Sequence, residues 1–314
     1  MRLLVTGGAG FVGSHVVQAA LAAGDETFVL DDLSTGRREN VPAATRLFEV
    51  DVRDGDAVRA VFAQVRPEVV SHQAAQASVA LSVREPALDA EVNVLGSLQV
   101  LSACVEYGAK RLIFASTGGA IYGEVPEGAR AAESHPASPL SPYACSKLAV
   151  EHYLAAFAHE HGLASHALRY ANVYGPRQDP HGEAGVVAIF CRRLLRGEPI
   201  QVNARHEPGD PGCVRDYVHV DDVVAANLAA MAGELEAPVL NVGTGVGTDT
   251  RTLADLLRSH LDSESQIRSG PRRPGDVERS VLDPSLLEKV LPERVALAEG
   301  LARTADWFRA QADA

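Results

Sequence analysis

A short apolar run, Leu3 to Thr6, stops at Gly7-Gly8-Ala9-Gly10-Phe11-Val12-Gly13 and gives way to a helical pattern reaching about Ala23. Few local sequences restrict a fold as tightly. Glycines at 7, 10 and 13 allow a tight turn, a close backbone approach to a pyrophosphate and close helix–strand packing. A glycine triplet alone is weak evidence; with a strand before it and a helix after it, it reads as a dinucleotide-binding turn. A second apolar strand, Thr27 to Leu30, ends in Asp31-Asp32, about 20 residues beyond the glycines. A carboxylate there hydrogen-bonds a ribose diol and repels a 2′-phosphate. NAD is therefore expected over NADP, against the opposing charge of Arg37 and Arg38 close by.

The alternation continues, with strands expected at Leu47 to Val50, Val69 to His72 and Arg111 to Ala115, and helices at Asp54 to Gln64 and Pro86 to Tyr107. Such alternation specifies an α/β fold, a Rossmann-like doubly wound parallel sheet. Ligands of these sheets sit at the carboxyl ends of the strands. Asp31 to Gly36, Asp51-Val52, Gln73 to Gln76 and Ser116 to Gly119 all fall there and together outline a cofactor crevice.

The 314 residues suffice for one large or two ordinary domains, and 46% apolar with 22% charged residues is the composition of a globular protein. Forty-one acidic residues against 29 basic ones leave a net charge of -12, which attracts neither nucleic acid nor an anionic membrane. An anionic ligand would need arginines placed locally against that field. Cys104, Cys145, Cys191 and Cys213 lie far apart without a CxxC, which fits neither a metal site nor a disulfide framework and suggests a reducing cytoplasm. The first apolar run is too short for a signal-peptide core, and no later run is expected to be long enough to span a membrane.

Chemistry enters at Ser141-Pro142-Tyr143-Ala144-Cys145-Ser146-Lys147. Proline suits the first turn of a helix, and positions i and i+4 share a face, so Tyr143 and Lys147 point the same way. Two unit charges about 4 Å apart attract by roughly 4 kcal/mol at an effective dielectric of 20, enough to turn a phenol into a usable base. By spacing alone the pair also fits a plain exposed helix start. Thr117, at the end of the strand before, would present a hydroxyl that can bond a substrate alcohol and relay its proton to Tyr143, or cap its own loop.

The glycine turn, Asp31-Asp32-Leu33-Ser34-Thr35-Gly36, Asn93-Val94-Leu95-Gly96, Thr117 and Tyr143-x-x-x-Lys147 resemble the extended short-chain dehydrogenase/reductases, the NAD-dependent epimerase/dehydratase family. Arg169 to Arg177, Arg215 to Asp222, Asn241 to Gly245 and Arg272 to Asp276 extend the likeness over nearly the whole chain, closest to the family's nucleotide-sugar 4-epimerases. The resemblance implies interconversion of UDP-glucose and UDP-galactose at C4 with tightly held NAD. Tyr143 would be base and then acid, Lys147 would hold the nicotinamide ribose, and Thr117 would bridge O4 and Tyr143. By the same likeness Phe11, Val12, Asp31, Asp32, Leu33, Ser34, Thr35, Gly36, Asp51, Val52, Gln73, Ala74, Ala75, Gln76, Asn93 and Tyr170 would line the cofactor. Arg215 and Arg273 would bind the diphosphate, Asp276 and Asn172 other parts of the nucleotide sugar, and the largely apolar stretch Glu183 to Phe190 would hold the sugar loosely.

Three departures from bacterial relatives bear on the substrate. Val186 stands where asparagine is usual, so the backbone at Val186 and Val187 must serve; Gln201-Val202-Asn203 lacks an aromatic at the base pocket; and Ser280 replaces a bulky tyrosine, which would admit N-acetylated hexosamines. The rival readings are a 4,6-dehydratase, which places Asp-Glu after the threonine where Gly118-Gly119 stand here, a decarboxylase or uronate epimerase, and a non-catalytic NAD-binding regulator. The expected organisation is an NAD-binding domain over 1–172, partly rejoined by 215–245, and a smaller mixed α/β sugar-nucleotide domain over 173–314. The helical runs 86–107 and 142–161 have apolar spacing; the resemblance implies that two such helices from each subunit form a homodimer, while by spacing alone their apolar faces also fit plain domain core.

Overall fold

The Leu3–Thr6 run forms the strand around which the main sheet is wound. The structure, a computed structural model, describes residues 1–180, 185–273 and 277–312. In chain order it forms β1 (Arg2–Thr6), α1 (Phe11–Ala22), β2 (Glu26–Asp31), β3 (Arg46–Glu49), α2 (Gly55–Val65), β4 (Val69–His72), α3 (Val79–Arg84), α4 (Pro86–Ala90), a π turn (Glu91–Leu95), α5 (Gly96–Tyr107) and β5 (Arg111–Thr117). There follow α6 (Gly118–Ile121), α7 (Pro142–His161), β6 (Ala164–Tyr170), β7 (Asn172–Tyr174), α8 (Val186–Leu195), β8 (Ile200–Asn203), β9 (Val214–His219) and α9 (Val220–Ala232). The chain continues through β10 (Val239–Val242), β11 (Gly247–Asp249), α10 (Thr250–His260), β12 (Ile267–Gly270), β13 (Arg279–Ser280) and α11 (Leu297–Ala312).

Seven strands lie in the order β10-β6-β5-β4-β1-β2-β3, with β1 parallel to both β2 and β4. The order reverses between β1 and β4, the switch point at which such sheets bind ligands. Near-continuous apolar runs such as Leu3-Leu4-Val5 are buried on both faces, as a covered parallel sheet requires.

Two compact units divide the chain: Met1–Thr117 with Ser141–Arg169 and Val224–Leu240, and Gly118–Leu140 with Tyr170–Val223 and Asn241–Ala314. The return of Val224–Leu240 to the first unit falls within the expected 215–245, whereas residues 118–140, expected in the first domain, belong to the second unit. From Val224 onward α9 belongs with the first unit. Side-chain bonds hold it there: Gln73 donates to Asn227 (3.0 Å) and Arg111 to the Met231 carbonyl (2.8 Å). The first unit's core gathers Leu4, Leu30, Phe62, Leu101, Leu112 and Phe114. The second unit's core gathers Tyr174, Phe190, Leu194, Tyr217, Leu257 and Phe308 around the β11-β9-β13 sheet, on which β7 also pairs with β9.

Pro86 to Tyr107 corrects one expectation. Its 22 residues, with a mean hydropathy of 1.2 over the best window, are long and apolar enough to cross a membrane by length and composition. Here Val100, Leu101, Ala103 and Cys104 are instead buried in the first unit's core, and the run carries the buried polar side chains Asp89, Asn93 and Ser97.

Candidate active site

Gly7 adopts φ +67°, and a Cβ there would lie 2.6 Å from the Ala74 nitrogen, so the turn rests directly on the segment after β4. A Cβ on Gly13 would stand 2.1 Å from the Gly7 carbonyl. No side chain caps the start of α1, where Gly10 is N-cap, which leaves first-turn N–H groups for an anion. Asp31 is 6% exposed and accepts from the backbone N–H of Ala9 (2.9 Å) and of Leu33 (2.9 Å), while burial raises its carboxyl above the usual range. It therefore braces the glycine turn, and each oxygen keeps a lone pair for a ribose hydroxyl. Arg38 pairs with Glu49 (2.5 Å) and Arg37 approaches Glu39 (3.9 Å), so nearby carboxylates oppose the charge that favoured a 2′-phosphate. This bare backbone cradle at the switch point fits a dinucleotide.

Other expected cofactor residues offer less than their side chains suggested. Val52 is in the hydrophobic core, and Asp51 is engaged by Arg53 (2.6 Å). Gln76 donates to the Ser78 carbonyl (2.9 Å) and to Asp89 (2.8 Å), and its oxygen accepts from the Ser78 N–H (2.5 Å). Asn93 donates to the Gln76 carbonyl (2.9 Å) and Asp89 (2.9 Å) and accepts from the Gln76 N–H (2.9 Å). Both amides thus spend their donors on protein, holding the loop after β4 against the π turn. Tyr170 is buried at the end of β6.

The helix that carries Tyr143 is built as its sequence requires. Ser141 in extended conformation accepts from the Ala144 N–H (3.2 Å), Pro142 takes the first helical position, and Gly162 closes α7 in the left-handed region. Lys147 is 3% exposed, its Nζ lies 5.8 Å from the centre of the Tyr143 ring, and it donates to the Ala115 carbonyl (2.9 Å) near the end of β5. Burial pushes its ammonium down to about 8, opposed by the charges of Asp89 and Glu151. Thr117, 8% exposed, ends β5 two residues beyond that carbonyl.

Around this pair stand groups that no spacing rule had singled out. Ser116 and Arg169 both donate to Glu151 (2.5 and 2.6 Å), tying β5, β6 and α7 together. Ser146 donates to Asp89 (2.7 Å). His72 sits between Thr6 (2.6 Å) and Ser97 (2.9 Å), and burial pushes it down to about 3. Because Ser97 spends its proton on the Asn93 carbonyl (2.5 Å), it must accept from Nε2–H, and the neutral ring then accepts at Nδ1 from Thr6. The one sequence signal for these groups was a carboxylate, Asp89, inside an apolar helical run.

In the second unit Arg215 lies half-buried on β9, with its guanidinium donating to the Val214 carbonyl (3.0 Å), and Ser280 pairs with it in register on β13. Arg273 is exposed, and its Nε lies 2.6 Å from the side-chain amide of Asn203, whose oxygen faces it. Gln201 is exposed, and its side-chain amide lies 2.6 Å from that of Asn203. Asn172 donates to the Asp216 carbonyl (3.2 Å). Asp276, Glu183 and Ala184 lie outside the described residues. The apolar stretch after them is not a loose surface: Val186 starts α8, and Val187, Ala188, Phe190 and Cys191 are buried in the unit's core. What this stretch offers a ligand is the uncapped N-terminus of α8, where Gly185 as N-cap supplies no side-chain bond.

A doubly wound sheet with a glycine turn at its switch point, and a buried lysine facing a tyrosine on the helix after β5, defines a dinucleotide-binding enzyme fold. The chain belongs to the NAD dependent epimerase/dehydratase family, whose pattern matches residues 3–243. It is 42% identical to a UDP-glucose 4-epimerase of Mycolicibacterium smegmatis, over 98% of this chain and 99% of the relative. Its structure is similar to that of a Thermus thermophilus UDP-glucose 4-epimerase in complex with NAD, at 54% identity and TM-score 0.94 over 98% and 99% of the two chains. A Thermotoga maritima UDP-glucose 4-epimerase with UDP-glucose matches at 47% identity and TM-score 0.94, over 99% and 100%.

Proposed function

We propose that this chain is an NAD-dependent 4-epimerase that interconverts UDP-glucose and UDP-galactose. The observation that carries the reading is the buried Lys147 ammonium, 5.8 Å from the Tyr143 ring on α7, beside the strand that ends in Thr117. NAD, held by the glycine turn, Asp31 and the segment Gln73 to Gln76, supplies the two-electron acceptor and donor for C4. Tyr143 takes the proton of the sugar 4-hydroxyl, with the Thr117 hydroxyl bridging the two, and returns it when the alcohol re-forms on the opposite face. The Lys147 ammonium favours the phenolate by its charge. Arg215, Arg273 and the N–H groups opening α8 bind the diphosphate, so the nucleotide stays fixed while the sugar turns; firm contacts to both sugar faces would trap one epimer. Gly118-Gly119 after Thr117, in place of an acid pair, disfavour the dehydratase reading.

The same reading extends to a cytoplasmic homodimer. Val79 (42% exposed), Val83 (62%), Leu95 (53%) and Tyr153 (42%) leave apolar surface on α3, the π turn and α7, which pack on one another. The small Ser280 side chain supports a tolerance for UDP-N-acetylhexosamines. The test is product analysis by the purified protein. UDP-glucose is expected to yield UDP-galactose, and Tyr143→Phe is expected to abolish this while retaining NAD. Full activity of Tyr143→Phe would sink the mechanism.

A further inference from the structure

Lys147 is one of three lysines in the chain, with Lys110 and Lys289. An ammonium removed from water costs several kcal/mol unless negative charge accompanies it. Two buried carboxylates act on it, and they differ in kind. Glu151, one turn further along α7, is gripped by Arg169 through Nε (2.9 Å) and Nη2 (2.6 Å), so an adjacent guanidinium offsets its charge. Asp89 is 0% exposed and accepts only from neutral donors: Gln76 (2.8 Å) and Asn93 (2.9 Å) on one oxygen, Ser146 (2.7 Å) on the other. Among the described residues it enters no ion pair.

We propose that Asp89 is a positioning residue for the Tyr143–Lys147 pair: through Ser146 it pins the first turns of α7 to α4 and the π turn, and its uncancelled charge balances the Lys147 ammonium. Ser146 lies between the two functional side chains in sequence, so the tether acts where their register is set. The other ionisable groups nearby do not compete for this role. His72 is neutral, with burial holding it far below its usual range. Arg84, Glu85, Glu91 and Glu106, on the helices packed against α7, are exposed, and Arg111 on β5 is bonded to the Met231 carbonyl. Burial pushes Lys147 down, and Asp89 is the first of the two charges that oppose it.

The inference rests on the functional reading above, and its test separates the two. Protein labelled with 13Cε-lysine gives signals from three lysines, and Lys147→Arg identifies the one that matters. Asp89→Asn keeps an acceptor for Gln76 and Asn93 and offers an amide donor that the Ser146 oxygen can accept, but removes the charge. Ser146→Ala keeps the charge and removes the tether. Asp89→Asn is expected to lower the titration midpoint of Lys147 by about one pH unit, the order of a single charge felt through several ångströms of protein. The alkaline limb of kcat should move down with it. Ser146→Ala should leave the midpoint in place and reduce kcat severalfold. If Asp89→Asn does not fold, the smaller neutral Asp89→Ser must move the midpoint in the same direction. A midpoint unmoved or raised in whichever variant folds overturns the inference. An active Tyr143→Phe removes the functional reading, whereas an inactive one with an unmoved Lys147 midpoint removes only the role of Asp89.

Discussion

A methyl group added at Gly13 would press on the Gly7 carbonyl at 2.1 Å, so the turn cannot accept it without opening. Gly13→Ala is expected to cost about 1–3 kcal/mol, as overpacking does, and to release NAD. Thermal melts with and without added NAD measure both effects. His72 gives a second residue-scale prediction. Its pKa falls from 6.5 to about 3 on burial, so below about 6.5 the unfolded chain binds a proton that the folded chain refuses. Stability contributed by the neutral ring is therefore present above about 6.5 and is lost as the pH falls toward about 3. Urea midpoints at about pH 7 and about pH 5 should fall further for the parent than for His72→Gln, which has no proton to take up. Equal losses would refute this. Tyr143, Lys147 and Thr117 were legible in the chain because their spacing is local, four residues on a helix and one strand end. Asp89, Glu151 and His72 were not. Each is an ordinary polar residue until the fold removes its water and chooses its partners.

At the scale of elements, α7 carries both the buried Lys147 and, in its first turn, Tyr143. Its first turn depends on Ser141, which caps the Ala144 N–H. Ser141→Ala is expected to cost about 1 kcal/mol of stability and to lower kcat more than it raises KM, because fraying displaces Tyr143 first. Denaturant titration alongside steady-state kinetics checks this, and an unchanged kcat would exclude it. The strands of the sheet's first half were readable within a residue or two, since fully buried parallel strands leave unbroken apolar runs. Val186 to Leu195 was not readable as a helix, because an apolar run does not say which face meets a core. In the folded chain Val187, Phe190 and Cys191 pack against other core residues of the second unit, leaving only the helix N-terminus as a ligand-binding feature.

For the whole molecule, the net charge of -12 makes anion binding a local affair. Removing Arg215 or Arg273 should then raise KM for the UDP-sugar tenfold or more, roughly the loss of one charge-assisted contact, with a smaller change in kcat. The role proposed for Ser280, 1% exposed and in register with Arg215, has its own test. Ser280→Tyr is expected to reduce turnover of UDP-N-acetylglucosamine more than about tenfold relative to UDP-glucose, a steric discrimination of ordinary size. Equal losses on the two substrates, read by product identity, would dismiss a role in sugar choice. The proposed homodimer predicts that Leu95→Glu lowers the sedimenting mass, since a charge in an apolar interface has no partner.

The sequence by itself determined the doubly wound sheet, the glycine turn at its switch point and the Tyr143–Lys147 spacing, because all three follow from short-range geometry. Folding alone decided that residues 118–140 leave the first unit and that the expected return of 215–245 narrows to 224–240, since both depend on contacts between distant segments. It also decided that Gln76 and Asn93 serve the framework, and that Asp89 reaches Ser146 across 57 residues of chain. Hydrogen bonds between such separated groups have no periodicity to announce them; burial makes them necessary, and only tertiary packing says which ones form.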